Sequence, residues 1–189
     1  MRLKALIEAA LFVSEKPLTI ESLQQLLAHQ QPQEPIQEPI QEQALLLSKA
    51  EIRVIVNDLI ADYQQRGIEL VKVASGYRFQ AKAQFSQALT VIFQEKAPKY
   101  SRAFLETLAL IAYKQPITRA EIEAIRGVSV SSHIMKTLVE HHWIKNLGQK
   151  EVPGRPSLYG TTKVFLDHFS LSSLAELPVL TKLDEKQLS

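Results

Sequence analysis

The chain has 189 residues, of which 46% are hydrophobic and 22% charged, and it carries a formal net charge of +2 and no cysteine. This composition is typical of a globular protein with two small cores, and it excludes disulfides, thiolate zinc sites and a strongly polycationic surface for DNA. No apolar run is long enough to cross a membrane and the N-terminal segment lacks the features of a signal peptide, so we expect a soluble cytoplasmic protein.

One module occurs twice in this sequence. The segment 6–26, LIEAALFVSEKPLTIESLQQL, reads almost like 105–125, LETLALIAYKQPITRAEIEAI. At this fixed offset Pro17 aligns with Pro116 and Thr19 with Thr118. A match at one offset indicates a duplicated structural unit. We therefore predict a pair of similar domains.

The first copy predicts three helices. Apolar residues at helical spacing give a first helix that ends before Lys16-Pro17, and Thr19 is placed to cap a short second helix. A third helix is predicted at about 48–66. The stretch 29–47 between the second and third helices is rich in Pro and Gln, so we interpret it as a solvated loop rather than as a docking ligand.

The second copy repeats the three helices. The first ends before Gln115-Pro116, and Thr118 with Glu121 forms a capping box for the second, which Gly127 closes in the left-handed conformation. The third helix is predicted at about 129–142. Its predicted buried residues are Ile134, Met135, Leu138 and Val139.

A two-stranded ribbon follows each set of helices. The first is predicted at 68–73 and 77–81, and the second at 143–147 and 158–162, with Pro153-Gly154 as a tight turn. Three helices and a hairpin are the order of a winged helix. We predict a mostly α fold with small β wings, formed by tandem winged-helix domains.

The predicted domain boundaries follow from these elements. The first winged-helix domain spans 1–94 and closes with a helix at 85–93. A linker follows at 95–101, the second winged-helix domain spans 102–170, and a tail spans 171–189.

The sequence lacks a catalytic constellation. The five histidines, His29, His133, His141, His142 and His168, show no metal-ligand spacing, and no phosphate, dinucleotide or acyl-transfer motif occurs. We predict surface or edge-of-core histidines, no cofactor and no enzymatic activity.

DNA binding is the main alternative function, because winged helices commonly place the third helix in the major groove. The third helices are poor in unopposed positive charge: Lys136 in the second copy faces Glu140. The second wing is richer, with Lys145, Lys150, Arg155 and Lys163. The mismatch between fold and charge favours protein recognition, with a DNA-binding transcriptional regulator as the alternative.

Two apolar segments are candidates for protein contacts. The segment 171–180 has Leu171, Leu174 and Leu177 at a three-residue spacing. It docks either on its own domain, which we favour, or on a partner. The first helix is predicted to carry a dimer face as well as a core face. The residues assigned to that dimer face are Leu3, Ile7 and Leu11.

Three segments resemble segregation and condensation protein B, the family of bacterial non-SMC accessory subunits of the condensin-like complex. They are SRAFLETLALIAYKQPITRAEIEAIRGV at 101–128, EVPGRPSLYGTT at 151–162 and FSLSSLAELPVL at 169–180. The resemblance implies two winged-helix domains, a homodimer formed mainly through the first, and binding of the kleisin subunit, segregation and condensation protein A.

The resemblance also implies a role and a set of contact residues. The kleisin bridges to the SMC ATPase, so the family regulates chromosome condensation and partition while ATP is hydrolysed elsewhere, and DNA is contacted only indirectly or weakly. The candidate partner-binding residues are Arg155, Leu158 and Tyr159 on the wing and Leu174 and Leu177 in the tail.

Overall fold

The structure, a computed structural model, describes residues 2–28, 47–92 and 99–179. Contacts divide the chain into two units, Met1–Lys96 and Ala97–Ser189. His29, most of the predicted loop at 29–47, most of the predicted linker at 95–101 and the end of the predicted tail lie outside the described residues.

The first unit has the order helix, helix, helix, hairpin. Its elements are α1 (Arg2–Val13), α2 (Ile20–Ala28), α3 (Lys49–Asp62), β1 (Ile68–Val73), β2 (Gly76–Ala81), a 3-10 turn (Ala83–Phe85) and α4 (Ser86–Leu89). The two strands pair antiparallel, from Ile68 opposite Ala81 to Val73 opposite Gly76. A bridge between Leu18 and Tyr77 attaches the connection before α2 to this hairpin.

Capping and burial explain the helices of the first unit. The Thr19 hydroxyl accepts the backbone N–H of Ser22 at 3.0 Å, as predicted for this cap. Ser48 and Glu51 form a capping box at the start of α3. The apolar faces meet in one core. Its buried members are Ile7, Ala10, Leu11, Ile20, Leu23, Leu27, Ile52, Val56, Leu59, Tyr63 and Leu70.

The second unit repeats this order with a larger sheet. Its elements are α5 (Arg102–Lys114), β3 (Ile117–Thr118), α6 (Arg119–Arg126), α7 (Ser132–Glu140), β4 (Ile144–Gln149), β5 (Ser157–Thr161), α8 (Lys163–His168) and a 3-10 turn (Leu174–Glu176). The strand order is β3, β5, β4, and both pairings are antiparallel.

Local chemistry fixes the helices of the second unit as predicted. Thr118 and Glu121 form the capping box of α6, and Gly127 closes it at φ 67°. The core contains Leu108, Ile111, Ile122, Leu138 and Trp143 among its buried residues.

The predicted fold class, tandem winged helices with small β wings, is confirmed. Two helices are shorter than predicted: α3 ends at Asp62 and α7 covers only 132–140. Val139 was predicted to be buried, and this was wrong, since it is 44% exposed. The strand β3 and the helix α8 were not predicted, and the closing helix at 85–93 is a 3-10 turn and one helical turn.

The structure places the three residues of the predicted dimer face in or against the first core. Ile7 is 0% exposed and Leu11 2% exposed, and Leu3 is half-buried against the same cluster. Their assignment to a dimer face stays a prediction. The exposed large side chains of α1 are instead Phe12 and Val13.

Gly76 is the residue that allows the Leu18–Tyr77 bridge. Its φ is 140°, and an added Cβ would lie 2.4 Å from the Leu18 carbonyl oxygen. We predict that Gly76→Ala lowers the free energy of unfolding by about 3 kcal/mol or more, since strain and a backbone clash combine. Thermal unfolding followed by circular dichroism measures this.

Gly67→Ala is the matched control. A Cβ there meets only Phe85 Cε2 at 3.7 Å, an ordinary contact. We expect a change of less than about 1 kcal/mol, because strain is absent. Equal effects of the two substitutions would contradict the role given to Gly76.

Candidate functional site

The tip of the second wing is a defined turn that exposes Arg155. The Arg155 N–H donates to the Val152 carbonyl at 2.9 Å, and Gly154, the third residue of the turn, has φ 84°. A turn with proline at its second position and a glycine of positive φ at its third is a type II turn. Arg155 itself has φ 39° and is exposed. The turn therefore fixes the backbone of Arg155 at an exposed position of the wing.

Leu158 and Tyr159 lie on the central strand of the wing and differ in role. Leu158 stands opposite Thr118 on one side and Gly148 on the other, and Tyr159 opposite Ile117 and Asn146. Successive side chains of a strand point to opposite faces. Tyr159 packs against the core of the unit, so Leu158 is on the outer face, where it is half-buried.

Gln115 connects the end of α5 to this central strand. Its amide donates to the Ala112 carbonyl at 3.0 Å and to the Thr161 hydroxyl at 2.9 Å, and its carbonyl accepts the Thr161 N–H at 2.8 Å. Gly160 leaves room for this arrangement, since a Cβ there would lie 2.8 Å from the Gln115 oxygen and 2.5 Å from Leu147 Cδ1.

The tail residues described up to Val179 dock on their own unit. The Tyr113 hydroxyl donates to the Pro178 carbonyl at 2.7 Å, and Leu177 packs against the core. A cavity of about 560 Å³ remains between the end of α5 and the tail. It is lined by Ala112, Tyr113, Gln115, Leu174, Leu177, Pro178 and Val179. The self-docking interpretation of this segment therefore holds for residues 171–179.

The five candidate partner-binding residues fall into two regions. Arg155, Leu158 and Tyr159 lie on the wing. Leu174 and Leu177 line the cavity between the end of α5 and the tail, which we call the tail groove. Gln115 belongs to both regions, because it bonds to β5 and lines the groove. Leu174 is 38% exposed and available to a partner, while Leu177 and Tyr159 mainly stabilise the unit.

Sequence reasoning did not identify Tyr113 and Gln115. The available signal was the polar residue directly before the proline that ends the first helix of each module, Lys16 in one copy and Gln115 in the other. A polar residue before a proline indicates a helix end, but it does not reveal which strand the side chain of that polar residue contacts.

Three cations on the third helices and the second wing form ion pairs within the chain. Lys49 pairs with Glu21 at 2.7 Å, Lys136 with Glu140 at 3.6 Å, and Lys150 with Glu121. Ion pairs between exposed side chains are weak, so each one only modestly reduces the charge available to a phosphate.

Glu121 on α6 forms an ion pair with Lys150 of the second wing. The Lys150 ammonium bonds to it, and the Thr118 N–H and hydroxyl add two further bonds. In this order of importance, these donors lower the pKa of Glu121 to about 2. The carboxylate thereby ties the wing to the start of α6.

The described residues contain no group of three or more His, Cys, Asp or Glu side chains arranged to hold a metal. His141 and His168 instead lie against Trp143, with ring centroids 5.0 and 4.4 Å away. Among the described helices, none is long and apolar enough to cross a membrane.

The low pKa of Glu121 makes the second unit sensitive to acid. The depressed pKa means that its contribution to stability is complete above pH 4.5 and is lost as the pH falls towards 2. We predict that Glu121→Gln is less stable than the parent chain at pH 7 and shows a smaller loss of stability between pH 4.5 and 2. Urea unfolding followed by fluorescence of Trp143, the single tryptophan, measures both.

Thr118→Ala separates capping from the Lys150 ion pair. Loss of its hydroxyl costs about 1 kcal/mol at pH 7, while the Glu121–Lys150 pair remains. A pH profile of Glu121→Gln that parallels the parent chain over this window would contradict the assignment.

The comparisons with known proteins agree on one family. The sequence model of the segregation and condensation complex subunit ScpB matches residues 5–180. The segregation and condensation protein B homolog of Coxiella burnetii is 51% identical over 177 residues, which are 94% of this chain and 78% of that protein. Segregation and condensation protein B of Desulforamulus reducens is 36% identical over 179 residues, which are 94% of this chain and 88% of that protein.

Two solved structures are also similar in sequence. A conserved hypothetical protein from Chlorobium tepidum is 33% identical, covers 90% of this chain and 96% of its own, and has a TM-score of 0.37. ScpB from Mycobacterium tuberculosis is 29% identical and has a TM-score of 0.37. The match covers 89% of this chain and 95% of the other.

Proposed function

The chain belongs to the family of segregation and condensation complex subunit ScpB, and from this membership we propose that it is a homodimeric accessory subunit that binds a kleisin. The kleisin is segregation and condensation protein A, which links this protein to the SMC ATPase. ATP hydrolysis then occurs on another chain. The protein regulates chromosome condensation and partition in the cytoplasm, at the nucleoid.

The observation that carries the proposal is the extent of the family match. Residues 5–180 include both winged-helix units and the docked tail. A match of this extent supports a function that uses the two units together, rather than one shared module on an unrelated protein.

The surface chemistry supports a polypeptide as the partner. Arg155 offers a guanidinium on a rigid turn, and arginine on a fixed support is a frequent anchor in protein interfaces. Leu158 and Leu174 add partly exposed apolar surface. An amphipathic or extended kleisin segment with a carboxylate would satisfy both kinds of group.

Sequence-specific DNA binding is the alternative, and the ion pairs weigh against it. Lys136 on α7 and Lys150 on the wing each have an acidic partner within the chain. A sequence-specific DNA-binding protein would need these cations for phosphate contacts.

Size exclusion with light scattering tests the proposal. We expect the full chain to co-elute with the central fragment of the kleisin from the same genome at micromolar concentration. Arg155→Asn should weaken binding about tenfold, a loss of about 1.4 kcal/mol, because asparagine tolerates the left-handed backbone but removes the guanidinium.

Lys136→Gln is the matched control, since it also removes one positive charge and lies on the third helix. It should leave kleisin binding unchanged. Failure to form a complex, or duplex DNA binding that Lys136→Gln abolishes, would reject the proposal in favour of the DNA-binding alternative.

A further inference from the structure

Gln115 uses the full hydrogen-bonding capacity of its side chain within the second unit. Its amide nitrogen donates to the Ala112 carbonyl at 3.0 Å and to the Thr161 hydroxyl at 2.9 Å. Its oxygen accepts the Thr161 N–H at 2.8 Å and the hydroxyl of the same residue at 3.2 Å. An amide side chain has two N–H donors and one oxygen with two lone pairs, so all of them are occupied.

These bonds join the end of α5 to the base of the second wing. Gln115 directly follows the last residue of α5, and Thr161 is the last residue of β5. The pairing with β3 attaches β5 at residues 158 and 159, nearer to the tip. A strand attached at one place can pivot there, whereas a second attachment removes that freedom. The Lys150–Glu121 pair is a weaker tie, because both side chains are more than 40% exposed.

A small rotation at the base of the wing becomes a large displacement at its tip. Strands rise about 3.3 Å per residue, so the stretch from Thr161 to Arg155 spans up to about 20 Å. Over that length, a rotation of about 10° at Thr161 moves the tip by about 3 Å. This displacement is much larger than the range of about 2.7–3.2 Å that an N–H···O hydrogen bond allows. A partner contact by Arg155 therefore depends on a fixed base.

The first module holds the corresponding position in a different way. The alignment of the two modules places Lys16 at the position of Gln115. The wing pairings, aligned in the same way, place Phe79 at the position of Thr161. Phe79 packs against the first core, with its ring centroid 4.7 Å from that of Tyr63. Apolar packing is non-directional, whereas the hydrogen bonds of the second module require a defined distance and angle.

We propose that Gln115 is a positioning residue, which fixes the direction of the second wing and thereby the place of Arg155. The inference rests on the kleisin binding proposed above, and in it Gln115 acts through Arg155 rather than by contact with the kleisin. Gly160 belongs to the same arrangement, since a Cβ there would lie 2.8 Å from the Gln115 oxygen. Without the Gln115 amide, the core and the strand pairings remain, but the base of β5 is free to rotate.

Spin labels on engineered cysteines measure the direction of the wing in the free protein, because the chain has no cysteine of its own. Leu105→Cys on α5 and Val152→Cys near the tip replace exposed side chains. Labelled chains are diluted with unlabelled ones, so that double electron–electron resonance reads the distance within one chain. We expect one narrow distance distribution, which Gln115→Met widens by about 3 Å because the unbranched side chain lacks the amide.

Tyr113→Phe is the matched control, since it removes a hydrogen bond at the same end of α5 that reaches the tail rather than β5. It should leave the distance distribution unchanged. Thr161→Val keeps the backbone N–H that donates to Gln115 but removes the hydroxyl, so it should widen the distribution less than Gln115→Met. It also carries the test if Gln115→Met does not fold. A lower melting temperature with an unwidened distribution would reveal a purely structural role and overturn the inference.

Kleisin binding separates positioning from direct contact. Gln115→Met should weaken binding about fivefold in the parent chain and no further in Arg155→Asn, because both substitutions act through one guanidinium. Losses that multiply in full would show that Gln115 acts by another route, and would contradict the inference. A parent chain that binds no kleisin would reject the proposed function, while the spin-label distances still decide whether Gln115 positions the wing.

Discussion

In both units the connection between the first two helices is hydrogen-bonded to the second strand of the wing. In the first unit Leu18 and Tyr77 exchange two backbone bonds of 2.9 and 2.8 Å, and in the second Ile117 pairs with Tyr159. This pairing fixes the wing relative to the helices. Because the Leu18 backbone lies so close to Gly76, no side chain fits at that position. The direction of the wing, and with it the position of Arg155, depends on this constraint.

The two modules use the same scaffold but finish it differently. The second unit closes its core with α8, an aromatic cluster around Trp143 and the docked tail, while the first leaves Phe12, Val13, Val91 and Ile92 exposed. A module that is complete by itself can present a wing and a groove to a kleisin.

Local signals predicted the fold well, because capping, proline and turn chemistry act over a few residues. Thr19, Thr118, Gly127 and the first hairpin lie where the sequence placed them. The wrong or missing features depend on tertiary contacts. Periodicity placed Val139 in the core although it is 44% exposed. The Gln115–Thr161 bond joins residues distant in sequence, which no local pattern reveals.

The most direct measurement of the central claim is hydrogen–deuterium exchange of the full chain with and without the kleisin fragment. If the exterior of the second module binds the kleisin, exchange should slow in peptides covering 150–161 and 171–179 and stay unchanged in α7. Slower exchange confined to α7 and α3, appearing on addition of duplex DNA and not of the kleisin, would contradict the account.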